Sequence, residues 1–140
     1  MKRVVVRRRP DGYQHEVQIR EHRLLVDEPE DAGGTDQGPA PSELLAASLG
    51  TCTAITIEMY AARKEWGLGA VEVTVEYTEA TADDPPTFEV SITLGAELSA
   101  ESRDRIVTIA GKCPVHRALK SHDVVINDSL EFDQDVEDED

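Results

Sequence analysis

A chain of 140 residues is long enough for one real core and too short for two. With 39% apolar and only 4% aromatic residues, that core has to be aliphatic. The formal charge of −15, from 29 acids against 14 bases, repels phosphates and anionic lipids, so neither nucleic acid nor a membrane is expected as a partner.

The same charge suits a salt-rich, halophilic cytoplasm, where repulsion is screened and an acidic surface stays soluble. The opening "MKRVVVRRRP" carries bases but no apolar run of signal length, which makes a cytoplasmic location the expectation. Two cysteines in a reducing compartment read as free, catalytic or metal-bound rather than as a structural staple.

Val4 to Arg9, Tyr13 to Arg20 and His22 to Val26 alternate or run β-branched, and "PDG" at Pro10–Gly12 turns the first into the second. An antiparallel meander follows. His15 and His22 fall in these strands and read as surface or satisfied histidines. Asp27 to Pro41, "DEPEDAGGTDQGPAP", is a Gly- and Pro-dense loop whose length hints at a role in shaping a site.

Ser42 to Trp66 predicts one long helix, opened by Pro41 or Ser42 and closed by Gly67. Its segment "LLAASLGTCTAITI", Leu44 to Ile57, carries no charge and is too short to span a bilayer. A helix apolar or small on every side should be buried on every side. In one small domain this calls for a sheet on one face and something else, such as a second subunit, on the other.

Val71–Thr78 and Thr87–Leu94 predict a hairpin. Ser99 should cap a helix through Ala110, with Ile106, Val107 and Ala110 as its apolar stripe. A short helix from Pro114 to about Ser121 and a last strand from Asp123 to Phe132 complete residues 1–133, read as a single domain. Residues 134–140 close the acidic run "DQDVEDED" and are expected to form a disordered tail. The order of elements is α+β, with antiparallel sheets around a long buried helix.

The two cysteines lie 61 residues apart in unlike settings. Cys113, in "KCPVHR", precedes a proline suited to the first position of a helix, which makes it the N-cap. There the helix N–H groups favour a thiolate and should lower the pKa. His116 and Arg117 add charge one turn on. An inert capping cysteine is the plain alternative, and Cys113 with His116 could form half of a structural zinc site, although no second half is apparent. Cys52 lies mid-helix in apolar surroundings that should raise its pKa unless a cation reaches it, Arg20 or Arg23 being the candidates.

"GGTDQGPAPSELLAASLGTCTAITIEMYA" followed by "KCPVHRAL" resembles the OsmC/Ohr family of osmotically inducible and organic-hydroperoxide-resistance proteins. The resemblance implies an intertwined homodimer and a thiol-dependent peroxidase, with Cys52 as peroxidatic thiol and Cys113 as resolving thiol. It further implies an organic hydroperoxide substrate, a dithiol reductant and no cofactor or metal. The family's acidic residue ten positions before the first cysteine corresponds to Ser42 here; Glu43 follows, either substituting for it or serving only as a favourable first-turn charge. The activating arginine corresponds to Arg20 ahead of Arg23. The rival reading is a dimeric small-molecule binding protein of the same fold without turnover.

Overall fold

The computed structural model describes residues 1–132. They fall into two compact units: Met1–Leu44 with the residues from Asn127 onward, and Leu45–Ile126. The expected acidic tail lies outside the described residues.

The first unit is built on a three-stranded antiparallel sheet of β1 (Val5–Arg8), β2 (His15–Ile19) and β3 (His22–Val26), ordered β1-β2-β3. Register pairs Val6 with Val17 and Val17 with Leu24. The loop after β3 is wound around one carboxylate. Asp27, only 1% exposed, accepts hydrogen bonds from the Glu28 N–H at 2.8 Å, the Thr35 hydroxyl at 2.7 Å, the Thr35 N–H at 3.2 Å and the Gln37 N–H at 3.1 Å. The loop presses so closely on its neighbours that a Cβ at Gly38 would run into the Leu25 carbonyl. The Gly-rich segment is therefore a folded structure with a polar centre.

The helix α1 (Pro41–Lys64) carries the chain into the second unit. It stops two residues earlier than the sequence suggests. Glu65, not Gly67, takes the left-handed conformation (φ 58°), and the Trp66 N–H returns to the Ala61 carbonyl at 2.9 Å. This closure sets the Trp66 ring edge-on to Tyr60, 5.6 Å between centroids, so tertiary packing fixes the helix end where glycine was expected to.

By length and composition α1 could cross a membrane, but Ile57, Tyr60 and Ala61 are core residues here. They pack with Leu68 and with Ile106 and Ile109 of α2 (Ala100–Ala110), and Val71, Ile92 and Leu94 lie against them. Gly50 brings α1 close to β4 (Val71–Thr78): a Cβ there would sit 3.1 Å from Val75 and 3.8 Å from Val73.

β4 pairs with β5 (Thr87–Leu94) in a hairpin over the full expected length, and Ser99 caps α2 through the Ser102 N–H at 3.1 Å. On the hairpin's outer face Glu76 stands directly opposite Glu89, an unfavourable like-charge pair that salt would screen.

Two expectations need correction. α1 itself fits the expectation of a second covering element, since the single chain leaves Leu45, Ile55 and Met59 exposed, Met59 at 63%. Ile109, not Val107, joins Ile106 in the buried stripe of α2, because the core lies on that side of the helix. Residues 123–132 form no strand: Val124, Val125, Ile126, Leu130 and Phe132 are all exposed, with no neighbouring strand among the described residues to complete a ladder.

Burial alone would raise the Asp27 carboxyl, but the Thr35 hydroxyl and the N–H groups of Gln37, Glu28 and Thr35 outweigh it and lower the group from 3.8 to about 2. A carboxyl depressed on folding stabilises above its unfolded value and loses that contribution as pH falls through the folded value. Asp27→Asn should therefore melt below the parent at neutral pH. Circular dichroism melts should show the gap narrowing as pH falls from 3.8 toward about 2, whereas a gap independent of pH would contradict this role.

Candidate active site

The second unit holds both cysteines, reduced. Cys113 follows α2 through a tight link in which the Lys112 N–H reaches the Ile109 carbonyl at 2.9 Å. It is the N-cap of α3 (Pro114–Lys120), with Pro114 at the first helical turn, where a missing N–H costs nothing. Its sulfur accepts the His116 N–H at 3.3 Å and is fully buried.

Cys52 comes from α1, half-buried, between buried Gly50 and buried Thr53. Its side chain is near enough to the Cys113 thiol to raise that thiol's pKa. Residues 61 positions apart in sequence thus meet at one point. The Gly50 approach to β4 helps to set the depth of the α1 segment that carries Cys52.

The electrostatics of Cys113 reverse the expectation from its capping position. Burial raises its pKa, and the neighbouring Cys52 side chain adds to that; the N–H groups of His116 and Val115 pull the other way without winning. A helix N-terminus favours thiolate only while water or a cation shares the load, and this sulfur is cut off from solvent. No cation is among the groups acting on it within the described residues. The arrangement is two neighbouring reduced thiols, one on a half-buried residue and the other fully buried and held protonated.

The remaining candidates lie in the first unit. The Glu43 carboxylate reaches back to the Ala40 N–H at 2.8 Å, while the Leu44 N–H meets the Ala40 carbonyl at 3.1 Å. Glu43 thus supplies the carboxylate half of a capping box, and Ser42 sits beside it in the same turn. Arg20 occupies the turn between β2 and β3 with φ 53°, and its side chain lines a cleft beside the N-terminal strand. Arg23 pairs with Glu16 at 3.4 Å.

An apolar cleft of about 700 Å³ in the same unit is lined by Val6, Tyr13, His15, Val17, Val26 and Leu44 among others, and was not foreseen. The alternation of β1 and β2 is the signal that could have marked it. Among the described residues no three His, Cys, Asp or Glu side chains gather to hold a metal ion.

The unequal thiols give a direct test. Iodoacetamide labelling of the reduced protein near neutral pH, followed by peptide mass mapping, should modify Cys52 well before Cys113, with Cys113 catching up only in denaturant. Equal rates in the folded protein would show that Cys113 is not shielded.

A family model described as OsmC-like protein matches residues 34–127. No curated protein matches significantly. Among solved structures, a protein described as an osmotic stress induced and detoxification response protein from Psychrobacter arcticus 273-4 is similar at a TM-score of 0.74 with 22% identity, over 84% of this chain and 87% of that one. An organic hydroperoxide resistance protein OsmC from Legionella pneumophila is similar at 0.64 with 21% identity, over 86% and 89%. The organic hydroperoxide resistance protein OhrB of Bacillus subtilis is similar at 0.59 with 19% identity, over 87% and 92%. The family model spans both the loop and helix that lead to Cys52 and the cap at Cys113, and the fold likeness extends over most of the chain: this protein belongs to the OsmC-like family.

Proposed function

We propose that the protein is a cytoplasmic thiol-dependent peroxidase that reduces organic hydroperoxides. The observation that carries this reading is the proximity of two reduced thiols of unequal exposure. The fold shared with proteins named for organic hydroperoxide resistance supports it.

Cys52 is the more accessible sulfur and takes the peroxidatic role. Its thiolate attacks the distal oxygen of the hydroperoxide; the O–O bond breaks, and the alkoxide leaves with a proton as the alcohol. Cys52 is then a sulfenic acid. The Cys113 sulfur attacks the Cys52 sulfur, the S–O bond breaks and water leaves, forming an intramolecular disulfide. A dithiol reductant reopens it by exchange. A buried, protonated Cys113 suits the second step, because it is protected from the peroxide until its neighbour has reacted.

Arg20 as activator of Cys52 and Glu43 as its acidic partner remain assignments by resemblance. The preference for organic hydroperoxides over hydrogen peroxide likewise rests on the resemblance. A homodimer would cover Leu45, Ile55 and Met59 on α1 and the apolar side chains between Val124 and Phe132, which a single chain leaves exposed.

Cys52→Ser should abolish dithiol-dependent consumption of cumene hydroperoxide. Cys113→Ser should consume about one equivalent and stop as a sulfenic acid, trapped by dimedone and seen by mass. Unchanged turnover by Cys52→Ser would remove the peroxidase and leave a binding protein of the same fold.

A further inference from the structure

Within the second unit one polar side-chain pair joins the helix that carries Cys52 to the helix that leads to Cys113. Tyr60 lies on α1, eight residues after Cys52, and Arg105 lies on α2, eight residues before Cys113. The Arg105 Nε–H donates to the Tyr60 hydroxyl at 3.0 Å. Tyr60 is only 8% exposed, set in the core with Ile57, Ile106 and Ile109 and met edge-on by Trp66. The phenol is thus a fixed post about 12 Å along α1 from the Cys52 position.

Arg105 forgoes nearer partners to reach it. Glu101 stands one turn earlier on α2, in the order that favours an i,i+4 ion pair, and Asp104 lines the same cleft. Among the described residues neither carboxylate is within ion-pair distance of Arg105. The guanidinium lies instead 5.8 Å from the Tyr60 ring centre, where Arg63 and Lys64 already stand at 6.0 and 5.8 Å. The Arg105 hydrogen bond is the first cause of a lowered Tyr60 pKa; burial opposes it, and the charges of Arg105, Lys64 and Arg63 add to it. An arginine that leaves two carboxylates for a buried phenol, against two further cations, serves the joint between the helices.

We propose that Tyr60 and Arg105 are positioning residues for closure of the Cys52–Cys113 disulfide: their hydrogen bond sets the height of α2 against α1 and so aims one sulfur at the other. The inference rests on the two-cysteine reading above. Bond formation brings the sulfurs to about 2.05 Å, and a fully buried Cys113 whose sulfur already accepts the His116 N–H has little freedom to swing. Its reach is therefore set by α2, whose end is tied to it by the Lys112 N–H on the Ile109 carbonyl at 2.9 Å and the Cys113 N–H on the Ala110 carbonyl at 3.4 Å. In this step the Cys113 sulfur attacks the Cys52 sulfenic sulfur, the S–O bond breaks, and the oxygen leaves as water with the thiol proton. The earlier attack on peroxide needs Cys52 alone and does not depend on the height of α2.

The test compares wild type with Tyr60→Phe, which keeps the ring and loses only the hydroxyl, with Arg105→Gln, and with both together. After one equivalent of cumene hydroperoxide, dimedone trapping should show sulfenic acid forming at the wild-type rate in every variant. It should then persist about fivefold longer in each single variant, and no longer in the double one. Ellman's reagent, at one equivalent, reads the same closure without peroxide: Cys52 releases one thionitrobenzoate by exchange, and Cys113 releases the second by attacking the mixed disulfide. Only the second release should slow, again about fivefold. A second release at wild-type speed in Tyr60→Phe would overturn the proposal, and so would an equal slowing of both releases, the mark of a loosened fold. A wild-type chain that forms no sulfenic acid, with the second release still slowed in Tyr60→Phe, removes the peroxidase reading and upholds the positioning role.

Discussion

The complete burial of one sulfur atom governs the chemistry that this fold can perform. Cys113 sits at a helix N-terminus, a position that in water would make it reactive, yet its thiol is held protonated by the loss of solvent and by the neighbouring Cys52 sulfur. Burial also divides the labour between the thiols. The thiol on α1 sits on a half-buried residue, and the thiol that caps α3 is fully buried. The supporting structure serves that arrangement. Gly50 lets α1 approach β4 closely, and Pro114 opens α3 directly after the capping thiol.

A second polar centre organises the first unit in the same way. The Asp27 carboxylate is buried but fully provided with donors, so a loop rich in glycine and proline becomes a fixed ramp from β3 to the start of α1. Glu43 then satisfies the Ala40 N–H as the helix begins. Both units therefore use an anion-favouring backbone environment, with contrary outcomes. A carboxylate given four donors is stabilised as the anion, whereas a thiol given fewer donors and no solvent is kept neutral.

Much of the fold could be read in the residues. The β-branched alternation of Val71–Thr78 and Thr87–Leu94 gave both strands to the residue, and Ser99 gave the start of α2, because these signals are local. The end of α1 was misplaced because Trp66 packing on Tyr60, not a glycine, stops it. The segment 123–132 has the composition of a strand but lacks a neighbouring strand among the described residues, which no local pattern could reveal. At the site, the capping role of Cys113 follows from Cys-Pro, whereas its raised pKa depends on burial between elements far apart in sequence.

The most direct test of the thiol pair is the loss of free thiols when the reduced protein is titrated with cumene hydroperoxide. One equivalent of peroxide should consume both thiols of each chain, far faster than it oxidises free cysteine, and leave a chain lighter by two hydrogens that carries a Cys52–Cys113 disulfide. Thiol loss no faster than that of free cysteine, or a disulfide only between chains, would contradict it.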